Sequence, residues 1–479
     1  MARWTTTCVV TLAGLLTASA SFAADPVLIA IGTVSGTYED FATQTAAPLE
    51  NGIAGNLLGG MGSGLTYAGG NIFLALPDRG PNAKPYNTAV DNTASYINRF
   101  QTLHLSLAPS GDPNLPFTLT PMLIRTTLLS STFPLYYSTG AGFGLGSGVP
   151  ALNAINHTFY FTGRSDNFNP SAGSTYPWNA RFDTEGIRVS NDGDTVFITD
   201  EYGPYVYAFD RHSGKRIGFY TLPAKFAVAK QSAVGDNEIS GNTSGRVANK
   251  GMEGVAITPD GKTLVGIMQS PLLQDGGTAT GLNTRIVAID IRSGHTREFA
   301  YPLDTMKTTV SEILAINNHE FLVDERDSKG LGDDSVAVIK KIYKIDLNGA
   351  QDVSNISGNA NLAAKAVGKS LFLDVVVALG LKGIAPFDVP AKLEGITFGQ
   401  DVVINGETKH TLYIANDNDY SAVVPNSHHA GGTADNPNKL FVFAFDDDDL
   451  PGFVPQPFRR DHDRDRDHDR DDDDHGHDR

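Results

Sequence analysis

A Glu-Gly motif followed by Ile or Val occurs three times, each time at the start of an apolar run. Carboxylates that are held close together repel one another, so they either take up protons or bind a cation. Oxygen ligands without neighbouring His or Cys favour calcium, with magnesium and manganese as the alternatives. If the fold brings the copies together, the motif predicts a calcium site. The carboxylates concerned are Glu185, Glu253 and Glu394, with Glu312 as a fourth candidate.

A second set of acidic residues lies at the end of the second strand of the predicted repeats. We expect these side chains to complete the metal site, because equivalent strand ends point to the same region of a repeated fold. The alternative is that each carboxylate caps a strand or pairs with an Arg or Lys beside it. The additional expected ligands are Asp78, Asp200, Glu201, Asp324, Glu325 and Asp417.

The segments that carry these residues follow one repeated pattern. A short strand opens at the acid, a turn follows, and two more strands come after it. Asp-Gly between apolar strands, as at Asp192-Gly193 and Asp260-Gly261, is a hairpin signal. The clearest copies span residues 184–210, 252–290 and 393–445, and weaker ones span 64–105, 311–346, and 117–129 with 158–166.

Repeats of about 40–50 residues with three or four strands each indicate the blades of a β-propeller. We therefore predict an all-β fold with six blades, and the uneven spacing of the copies allows five to seven. Residues 27–31 are expected to form a strand that closes the last blade, and residues 361–381 a short helix in an inserted loop. Because the innermost strand of every blade lines the central channel, the Glu residues are expected to meet at one axial mouth.

The two ends of the chain do not fit the repeat. Residues 1–23 combine Arg3, an apolar run too short to span a membrane, and small residues before Ala23, which predicts a signal peptide. We expect an exported protein, periplasmic or extracellular, without membrane insertion. The only cysteine, Cys8, would leave with this segment, which excludes disulfides and thiol chemistry. Residues 24–446 are assigned to the propeller, and residues 447–479, rich in Asp, His and Arg, are expected to be disordered.

Composition excludes several functions. The 479 residues include 37 Lys and Arg against 54 Asp and Glu, a net charge of −17, which argues against binding to nucleic acid or an anionic membrane. The Gly-x-Ser-x-Gly elbow of serine hydrolases and the His-Glu-x-x-His zinc motif are absent from the sequence. A monomer that acts on a small molecule is expected.

Five segments carry a further pattern, in this order along the chain: residues 62–67, 76–81, 182–202, 251–268 and 392–398. Together they resemble the phytase-like family, which is described as having an esterase-like activity of phytase and is found in exported bacterial proteins. The resemblance covers about residues 54–445, and its motifs occur in the family's order. It implies hydrolysis of a phosphate monoester by a calcium-dependent β-propeller.

Phosphate ester hydrolysis requires neutralisation of the phosphate oxygens and an activated water, and clustered metal ions provide both. We expect Glu185, Glu253 and Glu394 to be catalytic as well as metal-binding. Basic residues beside acidic strand ends or loops are expected to clamp the phosphate. They are Arg79, Lys250 and Arg326, with Arg164 as a further candidate.

Two alternatives remain at this stage. The first is a lactonase or sugar-ester hydrolase of the gluconolactonase type, which would prefer lactones to phosphate esters. The second is a non-catalytic propeller, stabilised by calcium, that binds a glycan, a peptide or an envelope partner. It would show calcium-dependent stability without turnover.

Overall fold

Short apolar strands separated by Gly- and Asp-containing turns build this fold, as the sequence pattern predicts. A computed structural model describes residues 26–82 and 86–458. Within these ranges five four-stranded antiparallel sheets surround one axis. The prediction of an all-β propeller is confirmed, and the prediction of six blades is wrong, because the structure has five. The predicted signal peptide lies outside the described residues.

The first strand, β1 (Val27–Val34), belongs to the last blade, and blade 1 follows it. The segments 117–129 and 158–166 were expected to form a further blade. Instead, residues 117–128 are the outer strand of blade 1, and the second segment contributes only to a two-stranded pair. Blade 1 consists of β2 (Gly64–Tyr67), β3 (Ile72–Leu76), β4 (Arg99–Pro109) and β5 (Phe117–Leu128). After it come β6 (Ser130–Ser131), α1 (Ala151–Asn156) and β7 (Phe159–Tyr160).

Blades 2 and 3 follow the sequence pattern most closely, with an Asp-Gly turn after the first strand of each. Blade 2 consists of β8 (Thr184–Val189), β9 (Thr195–Asp200), β10 (Tyr205–Asp210) and β11 (Arg216–Thr221). Helix α2 (Gly235–Gly241) lies in the connection to blade 3. Blade 3 consists of β12 (Met252–Ile257), β13 (Thr263–Met268), β14 (Asn283–Asp290) and β15 (Thr296–Pro302), with α3 (Gly277–Thr280) between its second and third strands.

Blade 4 differs from the prediction in its last part. The segment 361–381, expected to be one helix, contains the outer strand of the blade between two short helices. That strand pairs antiparallel with the third strand of the blade, with one register shift, so pairing at the sheet edge decides its structure in spite of the helical spacing of its apolar residues. Blade 4 consists of β16 (Thr309–Ala315), β17 (Glu320–Arg326), β18 (Lys340–Asp346) and β19 (Lys369–Asp374), with α4 (Asn359–Ala363) and α5 (Val375–Gly380) on either side of β19.

Blade 5 closes the ring. The N-terminal strand β1 pairs antiparallel with β25 and forms its outer edge, which confirms the predicted closing strand. The innermost strands of the five blades contact one another in a closed circle. The remaining strands of blade 5 are β20 (Leu393–Phe398), β22 (Glu407–Asn416) and β25 (Asn438–Phe445), with β21 (Val402–Ile404) paired to β22 and a separate hairpin of β23 (Val423–Pro425) and β24 (Thr433–Asp435).

Residues 447–458, which we call the strap, run across the end of the channel that lies opposite the acidic mouth. Leu450 is fully buried, and the Phe453 ring lies 4.5 Å from that of Phe398. The Val454 amide donates to Ile316 in blade 4, and Gln456 donates to Val189 in blade 2, both at 2.8 Å. The strap, included in the predicted disordered tail, is therefore packed on the propeller. Residues 459–479 lie outside the described residues.

Among the described residues, no helix has the length and apolar character that a membrane crossing requires. Short 3₁₀ turns complete the described secondary structure at Thr43–Thr45, Thr88–Val90, Ala224–Phe226 and Leu273–Asp275.

Candidate functional site

The Glu-Gly motif has a structural explanation in the innermost strands. The pairing register shifts at or next to the motif in β8, β12 and β20, so each strand bulges where its Glu stands. A bulge re-aims a side chain. The glycine is needed because the neighbouring inner strand comes too close for a Cβ atom. A Cβ on Gly186 would lie 2.7 Å from the Val255 nitrogen, and one on Gly395 would lie 2.8 Å from the Leu65 nitrogen.

These strands bring the predicted residues together at one mouth of the channel, in a cavity of about 480 Å³ that we call the basin. All six residues expected to be catalytic line it, and so do three further expected metal ligands. Three expected ligands, Asp200, Asp324 and Glu325, do not line it. The predicted residues in the basin are Asp78, Arg79, Glu185, Glu201, Lys250, Glu253, Arg326, Glu394 and Asp417.

Acidic groups outnumber basic groups in and directly around the basin. Around the channel axis, eight carboxylates and four cations leave a formal charge of −4 when all are ionised, and the exposed Lys307 in the outer lining makes the total −3. The sequence analysis missed Asp183, Lys392 and Asp419, although Asp183 and Lys392 each stand just before an innermost strand. The acids are Asp78, Asp183, Glu185, Glu201, Glu253, Glu394, Asp417 and Asp419, and the cations are Arg79, Lys250, Arg326 and Lys392.

Three of the four cations pair with acids of the basin. Arg79 lies 2.9 Å from Asp183, and Arg326 contacts Glu394. Lys392 lies between two carboxylates, 2.7 Å from Asp417 and 2.6 Å from Asp419. The expectation that these acids pair with neighbouring bases is therefore correct for part of the set.

Lys250 makes a different contact, through Gln269. The Lys250 ammonium donates to the Gln269 carbonyl oxygen at 2.8 Å, and the Gln269 amide donates to Glu253 Oε1 at 2.7 Å. Glu253 Oε2 is buried without a hydrogen-bond partner among the described residues. Burial lowers the pKa of Lys250. The three side chains therefore form a chain that occupies Oε1 of Glu253, and the carboxyl group of Glu253 also contacts that of Glu201.

Other carboxylates of the basin are also short of partners. Asp183 Oδ1 is buried with no hydrogen-bond partner in the described part of the chain, and no described donor reaches Glu185. Burial, and then repulsion from Glu253 and Glu201, raises the pKa of Glu185 well above its usual range. Burial and the neighbouring Asp183 raise the pKa of Glu201 to about 7. Asp183 has one partner in Arg79, and Glu201 accepts a hydrogen bond from the Gly251 amide at 2.8 Å, so the charge of these buried acids is only partly compensated.

Two groups of carboxylates have the spacing of a cation site. In each, one oxygen per residue lies within 4.8 Å of the others: Asp183, Glu185 and Glu201 in one group, and Asp78, Asp417 and Asp419 in the other. The first group fits a hard cation better, because two acids of the second are already bound by Lys392. An all-oxygen set with unpartnered buried oxygens and excess negative charge could bind calcium or a similar ion.

The remaining predicted residues lie elsewhere. Asp200 accepts hydrogen bonds from the backbone amides of Asp183 and Tyr202 and so supports the strand ends. Asp324 is buried outside the basin lining, where burial raises its pKa well above the usual range. Glu325 accepts from four donors beneath the turn 304–308. Arg164 pairs with Asp166 at 2.6 Å.

The fourth candidate, Glu312, lies deeper in the channel in a contact that the sequence analysis missed. Its partner is Arg188, 3.1 Å away, which is fully buried and donates to the carbonyl oxygens of Leu65, Ile313 and Ile396 in three other blades. Glu312 also accepts from the Val255 amide of the remaining blade. The pair joins all five innermost strands below the basin. Its signal in the sequence was an arginine between two apolar residues, Ile187 and Val189, of an innermost strand.

Comparison with known proteins adds two findings from sequence. The family described as "Phytase-like: Esterase-like activity of phytase" matches residues 56–420. An uncharacterized secreted protein of the fungus Arthroderma benhamiae is 28% identical over 326 residues, which are 57% of this chain. The chain covers 60% of that relative's length. The relative is fungal, so the bacterial origin that the resemblance implied is not confirmed.

Solved structures give distant likenesses. The periplasmic gluconolactonase of Pseudomonas aeruginosa is 11% identical, with 80% of this chain and 89% of that chain covered, at a TM-score of 0.32. A putative 6-phosphogluconolactonase from Bacteroides uniformis is 12% identical, with 79% and 88% covered, at a TM-score of 0.31. Structural similarity at these TM-scores carries no information about the function of this chain.

Proposed function

This chain belongs to the phytase-like family, and we propose that it is an exported hydrolase of phosphate monoesters that works with calcium at the axial basin. The observation that carries the proposal is the set of eight carboxylates and four cations around one mouth, with buried carboxylate oxygens that have no partner. Export is supported by the predicted leader 1–23 and by the secreted relative.

The carboxylates Asp183, Glu185 and Glu201 would hold the cation, because their oxygens already have the required spacing. A bound calcium ion neutralises phosphate oxygens and favours ionisation of a nearby water. Charge balance supports a role for the cation, because the basin at −3, with Lys307 included, repels a phosphate dianion. Two divalent ions, one in each carboxylate group, would bring the formal charge to +1.

The chain's own residues would supply positioning and proton transfer. Arg326, Lys250 and Lys392 line the basin and can contact phosphate oxygens. We assign Glu253 Oε2 to accept a proton from the attacking water, because Gln269 holds Oε1 and leaves Oε2 without a donor. As the new bond to phosphorus forms, the ester bond to the alcohol oxygen breaks. Lys250 would then protonate that oxygen.

The test is a substrate panel on purified protein, with calcium and with a chelator. Phytate, benzyl phosphate and glycerol phosphate represent phosphate esters, and gluconolactone represents the lactonase alternative. We expect phosphate release that requires calcium and falls at least about tenfold in Glu253→Gln, because a general base contributes about 10²–10⁴-fold. The control, Asp260→Asn, lies in an exposed hairpin turn. Turnover of the lactone alone would favour a lactonase, and calcium-dependent stability without turnover would favour a binding protein.

A further inference from the structure

The walls of the basin differ in chemistry. The other charged residues lie around the channel axis, whereas the lining residues between 270 and 309, on the outer side next to blades 3 and 4, are apolar, hydroxyl or glycine residues with Lys307 as the one charged residue among them. Pro271 and Leu303 are buried there, and Met306 stands at the rim with 54% of its surface exposed. A ligand in the basin would therefore meet charge at one end and apolar surface at the other.

The turn that carries Met306 is held in place from below. Glu325 is buried and accepts hydrogen bonds from the Asp304 amide at 2.6 Å and from the Thr308 hydroxyl at 2.7 Å. The Thr308 amide donates to the Thr305 carbonyl oxygen across the turn at 3.3 Å. Tyr301 and Lys369 bind the other oxygen of Glu325.

An exposed methionine on a fixed turn is suited to ligand contact, because the side chain adapts while its backbone does not move. The turn presents Met306 at the edge of the same cavity in which the charged groups converge. Leu303 and Pro271 extend the apolar surface inward from it. We call Pro271, Leu303 and Met306 the apolar wall.

On the basis of the function proposed above, we propose that the apolar wall binds the alcohol part of the substrate, so that the enzyme prefers phosphate monoesters of apolar alcohols. The phosphate lies toward the axis, where the charged groups are, and the organic group lies over blades 3 and 4. Met306 is then a specificity-determining residue. It contacts the leaving group and does not touch the phosphorus.

The experiment compares benzyl phosphate with ethyl phosphate in calcium, because their alcohols have similar acidity and differ mainly in apolar surface. The parent protein should show a kcat/KM for benzyl phosphate at least about tenfold higher, as expected for an apolar contact of a few carbon atoms. Met306→Ala should lower kcat/KM for benzyl phosphate about fivefold and leave ethyl phosphate unchanged. Met306→Leu should restore the preference.

Met122→Ala is the matched control. Met122 is 53% exposed, almost the same as Met306, but it lies on the outer strand of blade 1. The change should affect neither ester. Equal kcat/KM for the two esters in the parent, or an equal loss for both in Met306→Ala, overturns the apolar wall as a leaving-group site.

A binding measurement separates this proposal from the proposed function. Benzylphosphonate and ethylphosphonate are not hydrolysed, and calorimetry reports their affinities directly. If neither ester is hydrolysed but benzylphosphonate binds more tightly and Met306→Ala removes the difference, the hydrolase function fails and the apolar wall stands. If the two phosphonates bind equally, or neither binds, the apolar wall is overturned.

Discussion

Replacement of Glu185 by Gln tests the charge crowding in the basin. Glu185 is only 8% exposed, and its nearest carboxylate oxygen lies within 4.8 Å of those of Asp183 and Glu201. At that separation two unit charges repel by about 3.5 kcal/mol at an effective dielectric constant of about 20. Arg79 already pairs with Asp183, so we expect the neutral side chain to relieve about 2–3 kcal/mol at a pH where all the acids are ionised.

The direction of the pH effect follows from the raised pKa of Glu185, whose main cause is burial. A carboxyl group whose pKa is higher in the folded state contributes stability below its unfolded pKa of about 4.3 and loses it as the pH rises through the folded pKa. At pH 4, below the unfolded pKa, the group is largely neutral in both states, so the variant should unfold at nearly the same temperature as the parent. At pH 8 in a chelator, the variant should unfold a few degrees higher than the parent.

Calcium should reverse the order. The carboxylate of the parent then becomes a ligand, so calcium should raise its Tm more than that of Glu185→Gln, because affinity depends on the number of charged ligands. The assay is thermal unfolding at pH 4 and 8, each in chelator and in calcium, with Asp260→Asn as the control. If Glu185→Gln unfolds below the parent in chelator at pH 8, the carboxylate stabilises the metal-free fold, and the account of crowding is wrong.

Three further predictions concern the channel, the C-terminal segment and proton release. Arg188→Met leaves Glu312 buried without its partner and should lower the free energy of unfolding, measured with denaturant, by about 3–5 kcal/mol. A second change, Glu312→Gln in the same chain, should restore part of this loss. An unchanged unfolding midpoint in Arg188→Met would refute the central role of the pair. Phe453→Ala should lower the free energy of unfolding by about 1–3 kcal/mol, whereas deletion of residues 459–479 should change neither Tm nor phosphate release. If the deletion lowered Tm and Phe453→Ala did not, the packing of the strap would not stabilise the propeller. Calcium binding at pH 7 should release protons, because burial raises the pKa of Glu201 to about 7. The affinity for calcium should therefore fall as the pH is lowered from 8 to 6. Calorimetry would contradict this prediction if the heat of calcium binding were the same in buffers of different ionisation enthalpy, because no protons would then be released.

The parts of the fold that the sequence predicted were those governed by local pattern. The Asp-Gly turns and the Glu-Gly motif identify blades 2, 3 and 5, because a tight turn and a crowded inner strand each require glycine at a defined position. The closing strand β1 was also predictable, since a ring needs its last edge paired. The blade count was not, because the strand 117–128 has the alternation of any strand and only its pairing with β4 assigns it to blade 1.

The sequence predicted most of the acids of the basin, but fewer of the basic residues that pair with them. Glu185, Glu253 and Glu394 stand at equivalent places in a repeat, so the symmetry of the fold alone brings them together. Successive side chains of a strand point to opposite faces, so the position of an acid within its strand decides whether it faces the axis. Glu325 does not face the axis, and its side chain lies under the turn 304–308. Lys392 stands one residue before a strand, outside the repeated pattern, and only the folded chain places it beside Asp417.

The most direct test of the central claim is the rate of phosphate release from a monoester as free calcium is titrated, for the parent and for Glu253→Gln. The account predicts a rate that rises to saturation with calcium and returns to background in chelator. It also predicts a variant that is slower at every calcium concentration, because it lacks the carboxylate assigned to accept the proton of the attacking water. A rate that is the same in chelator and in calcium, or a variant as fast as the parent at every calcium concentration, would contradict a calcium-dependent phosphate site at the axial mouth.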